Sequence, residues 1–113
     1  MIYFKNFEHT DDFDGDKVFW IQIHEFGIPE DIKDAAKSID EENYINDGYG
    51  VCVNYNADAN EFHVVEDAPG CELYYVDNNG DKHWFKYSLS EMETYMIISK
   101  CIDAIENNPN AGV

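Results

Sequence analysis

Apolar and polar positions alternate with a period of two along "KVFWIQIHEF". Phe19, Ile21 and Ile23 fall on one side and Trp20, Gln22 and His24 on the other. Alternation of this kind belongs to an extended strand, so the first set is expected to face a core. The aromatic and β-branched stretch "IYFKNFEH" ahead of it is a second strand former. The polar "TDDFDGD" between the two, with Gly15, reads as the turn of a first hairpin.

The period then changes. In "GIPEDIKDAAKSI" the apolar residues Ile28, Ile32, Ala35, Ala36 and Ile39 make one helical stripe, Pro29 suits the first turn, and Glu30 and Asp31 complement the helix N-terminus. A polar connection, "DEENYINDGYG", follows. Four strand-like pieces come next. "GVCVNY" and "EFHVVE" flank the turn-forming "NADAN", while "CELYYV" and "DKHWFKY" flank "DNNG", where Asn79–Gly80 favours a tight hairpin turn; "DAPG" joins the two hairpins into a predicted four-stranded meander.

The last element is "SLSEMETYMIISKCIDAIENNPN". Ser90 with Glu93 matches a capping box, as does Ser88 with Glu91, and Asn107, Asn108 and Pro109 stop the helix. Met92, Tyr95, Met96, Ile98, Ile102 and Ile105 are expected to be its core-facing surface. The order is therefore ββαββββα. This predicts a single α+β domain over residues 1–113, with an antiparallel sheet of about six strands packed against the C-terminal helix and one short helix.

Charge alters this ordinary picture. The chain carries 24 acidic and 7 basic residues, a formal net charge of −17, and every basic residue is Lys. Without Arg it lacks the bidentate grip that suits phosphate, so nucleic acid, an acidic membrane face and phosphorylated ligands are poor partners and a basic protein is a good one. Duplex DNA carries one charge per about 1.7 Å of axis, so −17 equals about 29 Å of duplex, close to the diameter expected of a domain this size. A salt-adapted acidic surface is the competing explanation, and eleven Asn with no Arg argue for an AT-rich coding bias instead. With 44% apolar and 15% aromatic residues the chain is expected to fold and not to behave as an acidic disordered tail.

Candidate chemistry fails on spacing. With Gly15 at position 6 of a calcium loop, position 1 is Thr10 and position 12 is Ile21, so the terminal Glu is missing; with Asp77 at position 1, position 6 is Lys82 and position 12 is Ser88. Cys52, Cys71, His63 and His83 match no paired zinc-ligand spacing. No serine sits in a nucleophile elbow, and Gly48 and Gly50 have no basic neighbour with which to hold phosphate. No carboxyl is set apart for acid–base work. The expectation is a protein that is not an enzyme and uses no metal or cofactor. Three cysteines without a Cys-x-x-Cys pair, no apolar leader after Met1 and no apolar run of about 20 residues point to a cytoplasmic, reduced chain.

What remains is recognition by charge. Side chains two apart on a strand lie about 6.6 Å apart, on the order of the spacing between successive phosphates. Asp11, Asp12, Asp14 and Asp16 in the first turn, with Asp40, Glu41, Glu42 and Asp47 in the polar connection, are the expected main contact; Asp58, Glu66 and Asp67 form a second patch. Trp20, Tyr44, Tyr49 and Tyr55 are candidate aromatic anchors among the charges.

In size, acidity, Tyr content and lack of catalytic motifs the chain resembles the small DNA-mimic inhibitors of phages and mobile elements, among them anti-CRISPR and anti-restriction proteins. The resemblance covers the whole chain and is one of composition. It implies an inhibitor that occupies the basic DNA-binding groove of a host defence nuclease, a CRISPR effector or restriction enzyme, without touching nucleic acid itself. The alternative with the same electrostatics is an immunity protein or antitoxin that neutralises a cationic nuclease toxin.

Overall fold

A computed structural model describes residues 2–5, 9–13 and 16–107, with side chains at 9–13 and 107 left aside. The strands are β1 (Phe4–Lys5), β2 (His9–Phe13), β3 (Asp16–Ile23), β4 (Tyr49–Asn56), β5 (Glu61–Val64), β6 (Leu73–Val76) and β7 (Lys82–Phe85). The helices are α1 (Glu30–Ile39) and α2 (Glu91–Asn107), and a 3-10 turn, Glu25–Gly27, links β3 to α1. All seven strands join one sheet, and every strand pairing is antiparallel. This is the expected α+β arrangement.

Two details of the sheet differ from the sequence pattern. The first predicted strand is split into β1 and β2, which both pair with the same edge of β3, and the Asp-rich run is largely strand: Asp11, Asp12 and Phe13 pair with Val18, Lys17 and Asp16. Pairing satisfies backbone groups that a wide turn would leave to water, and a register shift between His9 and Asp11 accommodates the awkward sequence. The last four strands do not form a simple meander either. β4 has eight residues and β5 only four. β5 covers Val53–Asn56 and leaves Tyr49 and Gly50 free to take β6, which then pairs with β7.

The turns follow local chemistry. Asn56 Oδ1 accepts from Ala59 N at 3.0 Å, and Asn60 adopts φ 52° to close the β4–β5 turn. Pro69 and Gly70 (φ 80°) form a tight turn closed by Cys71 N on the Ala68 carbonyl at 2.8 Å. Between β6 and β7, Gly80 donates its N–H to the Asp77 carbonyl and takes φ 86°, and Asp77 N then meets the Asp81 carbonyl. That is a type I turn with a bulge at Gly80, a longer loop than the two-residue turn that Asn79–Gly80 predicts.

One face of the sheet is the core. Phe19, Ile21 and Ile23 are fully buried, as the alternation of β3 requires, beside Tyr49, Val51, Val53, Leu73 and Tyr75. Ile32 and Ala36 of α1, with Ile97 and Cys101 of α2, close over them. Burial raises the thiol of Cys101 to a pKa of about 12. No helix among the described residues is long and apolar enough to cross a membrane.

The rotation of α2 overturns the predicted helix face at Met92, Tyr95, Met96 and Ile102, and keeps Ile105 of that set against the core. Met92 is 61% exposed, Tyr95 73%, and Met96 and Ile102 38% each. The inward row is Glu93, Ile97 and Cys101, continued by Ala104 and Ile105. The cause is polar. Ser90 Oγ accepts from Glu93 N at 3.1 Å and the Glu93 carboxylate accepts from Ser90 N at 3.0 Å, so of the two possible capping boxes this one forms. The same carboxylate also takes Ile2 N at 3.1 Å and the Tyr87 hydroxyl at 3.2 Å. With Glu93 tied inward, every fourth residue after it must follow.

Candidate interaction surface

The strand register decides where the expected acidic contacts lie. Lys17 pairs with Tyr55, and Gln22 with Gly50, so Asp16 and Asp47 stand at opposite ends of β4. Its eight residues make that separation about 26 Å. At the Asp16 end are β2 with Asp11 and Asp12 and the β4–β5 turn with exposed Asp58; Asp14 lies outside the described residues. At the other end are Asp40, Glu41, Glu42 and Asp47. Exposed Glu66 and Asp67 occupy the connection between β5 and β6. The expected main contact is thus two acidic ends, and Asp58 sides with the Asp16 end.

Not all of these carboxylates are free for a partner. Asp16 Oδ2 accepts from Asn54 Nδ2 at 3.0 Å, and Asp40 Oδ2 from Asn43 Nδ2 at 2.7 Å. Glu41, Glu42, Asp47, Asp58, Glu66 and Asp67 are exposed. Four further acids serve the fold. Glu25 accepts from the Tyr44 hydroxyl at 2.6 Å and Glu72 from Leu89 N at 2.6 Å, while Glu93 holds α2. Asp77 takes Asn79 N, Asp81 N and His83 Nε2 at 2.9–3.1 Å. Burial raises the Asp77 carboxyl, but His83 and these amides outweigh it and hold it below the usual carboxylate range.

Lys17 stands opposite Asp12 in the β2–β3 register, but two other lysines are held by rings. Where both side chains are described, one lysine–carboxylate ion pair forms, Lys33 with Glu30 at 2.9 Å. Lys37 Nζ lies 5.3 Å from the centre of the Tyr44 ring, and Lys82 Nζ 3.6 Å from that of Trp20. Aromatic rings, not carboxylates, hold these two charges.

The chain matches no protein-family model, no curated protein and no solved structure.

The expected anchors divide. Tyr49 is fully buried in the core, because position 49 shares the inward parity of Val51 and Val53. Its hydroxyl lies 3.2 Å from that of Tyr44, whose ring stacks on Tyr75 at 5.4 Å. Burial pushes the Tyr49 hydroxyl up to about 12. Tyr55 is half-buried and stacks on Phe62 at 4.4 Å. Together with Asn60, Ile102, Ile105 and Glu106 they line a groove of about 260 Å³ beside the exposed stripe of α2. Trp20 lies on the sheet face that α1 and α2 leave uncovered, the outward side of β3.

That outer face carries a cluster of rings that the alternation within each strand does not by itself bring together. Trp20 meets Tyr74 edge-on at 5.7 Å, and Tyr74 meets Trp84 edge-on at 5.6 Å. The Tyr74 ring lies over Gly50, where a Cβ would sit 2.4 Å from its hydroxyl oxygen. A groove of about 310 Å³ adjoins Tyr74, with Gln22 and Asp47 on its lining. Cys52, 3% exposed beneath the rings, has its thiol raised to about 11 by burial. The available signal was the common strand parity of Tyr74, Lys82 and Trp84 with Trp20.

His63 lies 3.3 Å from Glu61, and His83 bonds Asp77. Among the described residues no three His, Cys, Asp or Glu side chains converge as metal ligands would.

Proposed function

We propose that this chain is an acidic decoy for nucleic acid, a non-enzymatic inhibitor that occupies the basic groove of a DNA-binding nuclease in the host cytoplasm and keeps DNA out. The observation that carries this reading is the segregation of charge. Among the described residues, the exposed carboxylates of Glu41, Glu42, Asp47, Asp58, Glu66 and Asp67 have no lysine within ion-pair distance, while Lys37 and Lys82 rest on aromatic rings. A molecule of 41 × 28 × 24 Å bearing −17 has the linear charge of duplex DNA to within a factor of about two. Arg and Lys that otherwise grip phosphate would pair with these carboxylates, and association would be fast and salt-sensitive.

The test is capture from bacterial lysate on the immobilised chain, followed by elution with duplex DNA. A basic DNA-binding protein retained at low salt, released by DNA and lost in high salt is expected. Lys at Glu41, Glu42 and Asp47, or at Asp16 and Asp58, should each weaken capture. Retention that DNA does not displace, or that survives both sets of reversals, would overturn the proposal.

A further inference from the structure

The helix-free sheet face is arranged around a positive charge. Lys82 and Trp84 project from the same side of β7, and Tyr74 lies directly opposite Trp84 on β6. Trp20 comes from β3, with β4 and β6 between it and β7. The Lys82 ammonium sits 3.6 Å from the Trp20 ring centre, 4.9 Å from Tyr74 and 5.9 Å from Trp84. All three lie within the about 6 Å over which an aromatic face attracts a cation. The edge-on contacts of Tyr74 with both tryptophans, over a glycine that leaves room for its ring, fix the three rings relative to one another.

We infer that Trp20, Tyr74 and Trp84 form a receptor for an alkylammonium or guanidinium head, and that Lys82 fills it in the free protein as an internal stand-in. The occupant is loosely held. Lys82 is an exposed residue at the start of an edge strand, directly after the Gly80 turn. Among the described residues no carboxylate lies within ion-pair distance of its Nζ. Burial also lowers its pKa, so the rings hold a charge that has lost water without gaining an anion.

An incoming cation would have what Lys82 lacks. The groove adjoining Tyr74 is about 310 Å³ and has Asp47 and Gln22 among its lining residues. A guanidinium donates in several directions at once, so it can stack on a ring and bond a carboxylate together. The cation we assign is the side chain of an arginine or lysine presented by a basic protein. That source rests on the proposed function; the receptor itself rests on the rings.

Both tryptophans of the chain lie in this cluster, so intrinsic fluorescence reports directly on it. The experiment titrates the whole chain with ethylguanidinium chloride and with n-butylammonium chloride, against sodium chloride at equal ionic strength. Saturable quenching by the organic cations beyond the salt control is expected. Lys82→Met, which keeps the stem and removes the charge, should bind both probes roughly fivefold more tightly, because the internal competitor is gone. Asp47→Asn, outside the rings, should weaken ethylguanidinium more than butylammonium. Circular dichroism confirms that each variant is folded, and the wild-type titration stands whatever a variant does. Quenching equal to that by sodium chloride in the wild type, or equal affinity in folded Lys82→Met, would overturn the receptor. In that event capture of a DNA-displaceable basic protein would still support the decoy reading; saturable quenching without such capture would sink the decoy and leave the receptor.

Discussion

Replacing Glu93 with Gln changes one charge and almost no volume at the point where the N-terminal segment, the β7–α2 connection and α2 are tied together. The carboxylate is 4% exposed and faces only donors: Ile2 N at 3.1 Å, Ser90 N at 3.0 Å and the Tyr87 hydroxyl at 3.2 Å. Gln offers one oxygen and sets an NH₂ group against whichever donor met the other. A hydrogen bond to a charged group contributes about 1.5–3 kcal/mol against about 0.5–1.5 for a neutral one, and a buried donor left unpaired costs about 1–3. Since these bonds share one acceptor and do not add, the net loss is about 2–4 kcal/mol. For a chain of this length that lowers Tm by about 8–15 °C.

The pH dependence has a definite sign. Burial raises the Glu93 carboxyl, but the donors, with Ser90 and Ile2 amides foremost, outweigh it and hold its pKa below the ordinary 4.5. A carboxyl lowered in the folded state stabilises fully above its unfolded pKa, and that contribution is lost as pH falls through the folded value. Urea unfolding followed by tryptophan fluorescence should therefore show the widest gap between wild type and Glu93→Gln above about pH 4.5, closing on further acidification. A variant within about 0.5 kcal/mol of wild type at pH 7, or a gap that widens in acid, would refute the reasoning.

Three other outcomes follow from the same structure. Gly50→Ala places a methyl 2.4 Å from the Tyr74 hydroxyl oxygen and 2.7 Å from the Ile21 carbonyl oxygen, so chemical denaturation should reveal a loss of about 1–3 kcal/mol and a shifted tryptophan spectrum. On α2, Ile97→Ala should cost about 2–4 kcal/mol, while Tyr95→Ser, at a position 73% exposed, should stay within about 0.5; equal losses would mean that the helix is rotated from the orientation described here. Because −17 is largely unpaired, thermal melting should rise with sodium chloride up to about 0.3 M, and a flat or falling melting temperature would contradict the charge segregation.

The parts of the fold legible in the sequence are those where one physical signal dominates. β3 alternates strictly, and its buried residues are those its parity demands; α1 begins after Pro29 and buries Ile32 and Ala36 of the stripe assigned to it. The apolar pattern locates α2 but gives it the wrong face, because counting apolar residues gives no weight to a carboxylate. Glu93 outranks Met92, Tyr95 and Met96 only once Ile2 and Tyr87, distant in the chain, supply its donors. The same distinction governs the acids. Sequence alone treats Glu25, Asp77 and Glu93 as it treats Glu41 and Asp58, yet the first three are bound within the fold and the latter two face water. The ring cluster on the outer face is not legible in the sequence because it depends on β6 reaching β4 instead of β5, a pairing no local pattern encodes.

The uncovered strip of Met92, Tyr95, Met96 and Ile102 gives the molecule two temperaments. In dilute buffer the like charge of two copies keeps their oily strips apart. The range of that repulsion shrinks from about 10 Å at 0.1 M salt to about 3 Å at 1 M, where sulfate or phosphate also strengthens apolar association. Brine thus steadies each copy while inviting it to stick to its neighbour, and a purification that ends in ammonium sulfate would yield clusters that disperse again on dialysis.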